Sequence, residues 1–205
     1  MGFEPSIRAI LSKLKPAGQR RTLMFSATWP ESIQKLASEF LNKPVCVTIG
    51  EAGGTLAATH SVKQIVEITP PQIRDTRVHQ LLQEYHDKKK GNRILIFALY
   101  KKECQRVADN LWNKGWNVAA IHGDMTQQAR EQAIQDFKDG KVPILVATDV
   151  AARGLDVKGI THVINYAFPL TTEDYVHRIG RTGRAGEKGI AHTFFQLVAD
   201  KQRGY

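Results

Sequence analysis

The sequence predicts an α/β fold, a parallel sheet with helices on both faces, from residue 62 onward. Three observations predict it. Apolar runs of strand length alternate with stretches whose apolar residues recur at helical spacing. The alternation repeats without a hairpin signal between runs. Each unit is long enough for the crossover that a parallel pair requires.

The elements follow in order. "VKQIVEIT" (62–69) is the first strand of this series, and "NRILIFA" (92–98) is a short apolar run with β-branched residues, a buried strand. "KKECQRVADNLWNKG" (101–115) places Cys104, Val107, Ala108 and Leu111 on one helical face, with Gly115 as the stop. "NVAAI" (117–121) is a strand. "TQQAREQAIQDFKDG" (126–140) is a helix capped by Thr126, lined by Ala129, Ala133, Ile134 and Phe137, and ended by Gly140. "PILVAT" (143–148), "THVINYA" (161–167) and "GIAHTFF" (189–195) are further strands. Thr171 and Asp174 form a capping-box pattern that starts a helix through "EDYVHRI". Ligands of such sheets sit beyond the strand C-termini, so the loops after Ala98, Ile121, Thr148 and Ala167 are the expected place for chemistry.

The first fifty residues read separately. "PSIRAILSKL" is a helix, "RTLMFSAT" (21–28) a strand, "PESIQKLASEFL" (30–41) a helix and "VCVTI" (45–49) a strand. "GEAGGTLAATHS" is small and glycine-rich, which marks residues 51–61 as a linker.

Composition narrows the function. The 205 residues carry 29 Lys and Arg against 20 Asp and Glu, a net charge of +9, which favours a polyanion such as nucleic acid. No apolar run is long enough for a bilayer, and the N-terminus has no signal-peptide pattern. The two cysteines, Cys46 and Cys104, lie far apart and are expected to be buried thiols in a reducing compartment; no metal-ligand spacing occurs. "HDKKKGNR" (86–93) reads as a solvated turn.

"HRIGRTGRAG" sets Arg178, Arg181 and Arg184 at every third position among glycines. A helix end with dipole-complementing arginines explains Arg178 and one more, but not Arg184 beyond Gly183. Together with "ATDVAARGLD" (147–156), "HGDMTQQAR" (122–130), "ILIFALYK" (94–101) and "SAT" (26–28), this stretch resembles the motifs of the DEAD-box RNA helicases, in their order and each at a strand end. The match runs nearly end to end.

The resemblance implies two RecA-like lobes. Residues 1–50 would be the incomplete tail of the first, ATP-binding lobe, 51–61 the linker, and 62–205 the second, helicase C-terminal lobe. The phosphate loop G-x-x-x-x-G-K-[ST] and an Asp-Glu-Ala-Asp stretch are not in this sequence. On the resemblance, the chain would be a fragment, cut at both ends and inactive alone.

The resemblance also assigns roles. Arg181 and Arg184 would reach the γ-phosphate of ATP, whose Mg²⁺ the other lobe would hold. Asp156 would accept the ribose hydroxyls, with Gly154 allowing close approach; by spacing alone "RGLD" is an ordinary tight turn. Gly123, Gln127, Arg130, Thr148 and Asp149 would grip RNA backbone without reading sequence. A solvated helix face is the other reading of Gln127 and Arg130. Ser26, Thr28, His177 and Arg178 would couple the lobes; a satisfied core histidine is the other reading of His177. Leu99 and Tyr100 stand where the family commonly has an acidic or amide residue and Thr, so Tyr100 is not assigned. "SATWP" leans toward eukaryotic members, and "LYKKE" and "FPLTTEDYVHRIGRTGRAG" lean toward nuclear or nucleolar helicases of ribosome assembly, with the cytoplasm as the other expected location. The expected state is a monomer acting on ATP and RNA, off the membrane. A free-standing RNA-binding module and a DNA helicase are the rival readings. Leu23, Met24 and Phe25 are expected to be poorly covered, since the sheet they would join is not in the chain.

Overall fold

A computed structural model describes residues 4–26, 29, 31–48, 60–87 and 91–196. The chain divides into two compact units, Met1–Leu56 and Ala57–Tyr205. The glycine-rich linker falls almost wholly outside the described residues, as does Thr28.

The first unit holds α1 (Glu4–Leu11) and α2 (Glu31–Phe40). Arg8 joins them, donating to Glu4 at 2.8 Å and to Glu39 at 2.6 Å. The strands expected at 21–28 and 45–49 do not form at residues 21–26 or 45–48. A strand is completed by a neighbour's hydrogen bonds, and the described residues of this unit provide none. Leu23 and Phe25 are accordingly 81% and 91% exposed. Cys46 is exposed here, against the expectation of a buried thiol.

In the second unit the described residues form a parallel sheet of β1 (Val62–Ile68), β2 (Arg93–Ala98), β3 (Val118–Ile121), β4 (Ile144–Thr148), β5 (Ile160–Asn165) and β6 (Gly189–Phe195). The order is β1-β6-β5-β2-β4-β3, every pairing parallel. All six strands match the sequence reading. The helices are α3 (Arg74–Tyr85), α4 (Lys101–Asn113), α5 (Gln127–Lys138), α6 (Asp149–Ala152) and α7 (Thr172–Ile179). From β1 to β3 the chain advances across the sheet; from β3 to β6 it returns. Crossovers keep one hand, so reversing direction moves the helices to the opposite face. Hence α3 and α4 cover one face and α5, α6 and α7 the other.

Alternation along each strand fills both sides. Ile94 and Ile96 pack with Val78, Leu81, Leu82, Cys104, Val107 and Leu111. Leu95 and Phe97 pack with Phe137, Ala151 and Ala152. Burial pushes the Cys104 thiol up to about 12, so it behaves as a small apolar side chain. Thr126 caps α5, its hydroxyl accepting from the Ala129 amide at 3.2 Å, and Thr171 caps α7 from the Asp174 amide at 3.0 Å. The helix α3 was not read from the sequence.

A chain of titratable groups crosses the α3 face. Arg77 pairs with Glu67 at 2.9 Å, Glu67 accepts from His192 Nε2 at 2.9 Å, and Tyr85 donates to His192 Nδ1 at 3.0 Å. This arrangement fits a neutral His192, and burial holds that imidazole below its usual range against the pull of Glu67. His162 stacks on Tyr85 with ring centroids 4.4 Å apart, and burial pushes it down to about 4.

Two outcomes are expected in urea unfolding. Phe137 is fully buried, so Phe137→Ala should cost about 3–5 kcal/mol. The second concerns pH. Between pH 6.5 and about 4 the unfolded chain protonates His162 while the folded chain does not, so stability should fall as pH drops through that window and be flat above it. His162→Gln should reduce this slope; an unchanged slope would assign it to other groups.

Candidate active site

The helix α7 ends at Gly180 and opens into the loop that carries Arg181 and Arg184. The loop is fastened at three points. The Thr182 hydroxyl donates to the Ile160 carbonyl at 2.5 Å. The Ser61 hydroxyl donates to the Gly183 carbonyl at 2.7 Å, and the Gly189 amide to the Ser61 carbonyl at 3.0 Å. Gly183 sits at φ +67°, and a Cβ there would lie 2.6 Å from Val62 Cγ2. No other residue combines that backbone conformation with that space.

On this frame the arginines meet the "RGLD" turn. Arg181 Nη1 donates to the Leu155 carbonyl at 3.3 Å. Arg184 Nε donates to the Gly180 carbonyl at 2.7 Å, and its Nη1 lies 3.3 Å from Asp156 Oδ1. Gly154 takes φ +73°, with open space where a Cβ would stand. Burial lowers the Arg181 pKa and the neighbouring Arg184 charge lowers it further, though a guanidinium still remains protonated. Two cations beside one exposed carboxylate form an electropositive corner suited to phosphate oxygens.

This corner lies where β5 and β6 begin, since the turn precedes Ile160 and the arginine loop precedes Gly189. The expectation placed chemistry in the loops after the strands, "RGLD" after Thr148 included, yet this corner lies at the other end of the sheet. The strands enforce that expectation only for residues that follow them directly. Gly154 and Asp156 come after α6, and Arg181 and Arg184 come after α7, so both helices have already carried the chain back.

The remaining candidates lie at the opposite rim, after the paired strands β3 and β4. Gly123 and Gln127 are exposed at the start of α5, and Thr148 ends β4 with its residue 8% exposed. Gln127 donates to Glu131 at 2.8 Å. Arg130 Nε is buried without a protein partner, and Nη1 lies at 3.5 Å from Gln127 Oε1. A guanidinium left partly unpaired at a helix start is suited to an anion. Nearby, Lys101 pairs with Asp124 at 2.8 Å, and His122 Nε2 lies 3.0 Å from Gln105 Oε1. Tyr100 is 62% exposed before α4.

Arg178 is reassigned. It is 1% exposed, and its guanidinium contacts lie within this unit. Nε and Nη2 fork onto Asp149 at 2.6 and 2.7 Å, Nη1 donates to the Ala167 carbonyl at 2.7 Å, and the guanidinium stacks 5.1 Å over Phe97. A buried fork occupied in this way holds the domain together and does not reach outward to another lobe. Asp149, expected at the RNA backbone, has its carboxylate committed to Arg178. His177 is exposed on α7, which excludes a core histidine. Ser26 lies outside any strand. Sequence reasoning missed Thr182, Ser61 and Leu155, whose roles are to hold the arginine loop; the Thr-Gly pair inside "RTGR" was the available signal.

Among the described residues no cluster of three or more His, Cys, Asp or Glu could hold a metal ion, and no helix is long and apolar enough to cross a membrane.

The sheet order and the arginine corner define a RecA-like domain of the helicase type. Residues 76–186 match the helicase conserved C-terminal domain. The chain is 54% identical over 196 residues to DEAD-box ATP-dependent RNA helicase 5 of Oryza sativa subsp. japonica, covering 95% of this chain and 37% of that protein. It is 54% identical over 195 residues to ATP-dependent RNA helicase DBP3 of Saccharomyces cerevisiae, with the same coverage of 95% and 37%. The chain thus spans little more than a third of these relatives. A DEAD box protein from Methanococcus jannaschii superposes with TM-score 0.63 at 34% identity, covering 99% of this chain and 52% of that one. Dbp5 of S. cerevisiae bound to RNA and ADP BeF3 shares the fold at TM-score 0.82 and 24% identity, over 96% of this chain and 50% of that one. The chain belongs to the helicase C-terminal domain family, among its DEAD-box members.

Breaking the buried fork is expected to be costly. Arg178→Ala strands the Asp149 carboxylate and should destabilise the second unit by about 3–5 kcal/mol, read from the urea midpoint, with Arg178→Lys intermediate. A loss under about 1 kcal/mol would show that the pair is not a structural tie.

Proposed function

We propose that this chain acts in an ATP-dependent RNA helicase, supplying the cations that meet the terminal phosphate of ATP and a surface that holds RNA backbone. The observation that carries the reading is the meeting of Arg181, Arg184 and Asp156 at one corner. Planar, permanently charged forks suit the spread charge of a phosphoryl group in transfer. Asp156 is 84% exposed, free to accept ribose hydroxyls when the nucleotide draws Arg184 away. ATP with Mg²⁺ would be held mainly by another lobe, the metal neutralising phosphate charge when bound. The part of this chain would be positioning and electrostatic stabilisation.

RNA would lie at the opposite rim, on Gly123, Gln127, Arg130 and Thr148. The unpaired Arg130 Nε supports a phosphate there. The Asp149 backbone remains available even though its carboxylate is used. The likeness to RNA helicases favours RNA over DNA. Ser26, Thr28 and His177 remain proposed couplers between lobes. Monomeric action, and residence in the nucleus or nucleolus in ribosome assembly, belong to the same proposal, supported by the lean of "SATWP" and "LYKKE".

The 205-residue chain alone should release no phosphate from ATP, with or without RNA. Joined to the ATP-binding part of the Saccharomyces DBP3 protein, it should support RNA-stimulated turnover. Arg181→Ala with Arg184→Ala in that protein should cut turnover about 10³-fold or more while the fold persists. Unaltered turnover in the double variant would overturn the proposal. In the same protein, Arg130→Ala should weaken all single-stranded RNA sequences alike and reduce the salt slope of binding by about one; DNA competing as well as RNA would favour the DNA reading.

A further inference from the structure

A cavity opens where β1, β6 and β5 begin, with a volume of about 450 Å³. Lys63 and Lys188 supply its fixed charges, His60 and the neutral His162 add ring nitrogens, and no carboxylate is among its described lining residues. Ile190 and the Gly189 backbone give it an apolar wall. Lys63 and Ile190 are register partners, and His162 pairs with Ile190 on the other side. These three therefore stand in a row on the α3 face, whereas Arg181 and Arg184 follow α7, which covers the other face. The RNA rim is farther still, about 20 Å away along the strands.

The lining indicates what kind of anion would fit. A base would need a flat stacking platform. No Phe, Tyr or Trp is among the described residues that line the cavity, and one face of the His162 ring is already stacked on Tyr85. A bare phosphate would leave the apolar wall unused. Carboxylates beside one apolar side chain satisfy both parts: lysines at the mouth, Ile190 within. His162 Nδ1 already meets the Thr161 hydroxyl at 2.8 Å, so Nε2 is the ring nitrogen left to face an occupant.

We propose that this cavity is a docking site for an acidic segment of a partner protein that seats one apolar side chain against Ile190. The site touches the arginine loop. Ser61 lines the cavity and also donates to the Gly183 carbonyl at 2.7 Å. An occupant therefore abuts the residue that fixes the backbone between Arg181 and Arg184.

The test uses the ¹⁵N-labelled 205-residue chain and a fluorescent peptide, Asp-Glu-Asp-Leu-Phe-Asp-Glu-Asp. The peptide should shift the amides of residues 60–63, 161–162 and 188–190. Lys63→Glu with Lys188→Glu, both at exposed positions, should weaken binding about tenfold or more at an unchanged thermal midpoint. Lys158→Glu makes the same kind of substitution on the same rim outside the cavity, with half the charge change, and should alter binding less than about twofold. The proposal is overturned by no binding at about 1 mM peptide, by equal weakening in the Lys158 variant, or by an RNA oligonucleotide of uridines shifting the same amides.

Discussion

One buried guanidinium organises the second unit. Arg178 reaches from the last turn of α7 to Asp149 at the start of α6 and to the Ala167 carbonyl past β5, with Phe97 beneath it. An isolated charge at that depth would cost several kcal/mol. The fork removes most of the cost because Nε, Nη1 and Nη2 all find oxygen at hydrogen-bonding distance. The contacts span two strand ends and a helix, so they also set where α7 lies. The arginine loop starts two residues later and takes its place from that helix.

The return path of the chain does the rest. Crossovers of one hand place α5, α6 and α7 together on the face opposite α3 and α4. The segments after α6 and α7 then arrive side by side, where β5 and β6 begin. "RGLD" and "RTGR" are more than twenty residues apart in sequence, yet Arg184 stands 3.3 Å from Asp156. Strands β3 and β4 are neighbours as well, and they bring "HGD" and "ATD" together at the far rim. The sheet thus separates two polar sites by its own length, and the Arg178–Asp149 pair runs between elements that serve both.

Much of this was legible in the sequence, because strands buried on both faces read as continuous apolar runs. The central strands were read from such runs and the edge strand β1 from its alternation, and Thr126 and Thr171 marked two helix starts that the structure reproduces. The helix α3 was missed although Val78, Leu81, Leu82 and Tyr85 follow helical spacing; Pro70 and Pro71 and the many polar residues obscured it. "RTLMFSAT" and "VCVTI" erred the other way. Their β character is local, but a strand exists only where another backbone answers it. The roles within the arginine series were equally hidden. Even spacing shows three cations but not which one the core encloses.

The enclosure separates their chemistry. Arg178 is held by a bidentate pair in a dry site, and releasing it would strand a carboxylate. Arg184 and Asp156 are 40% and 84% exposed at the side chain, and a pair so wet is worth about 0–1 kcal/mol. That attraction is weak enough for an arriving phosphate to replace. The loop backbone, in contrast, is pinned by Thr182, by Ser61 and by the space denied to a Cβ at Gly183. A pinned backbone with a loosely held guanidinium lets the charge change partners without reorganising its support. The same residue type is therefore a tie at one position and, on the proposed function, an exchangeable ligand six residues later, and hydration at each position makes the difference.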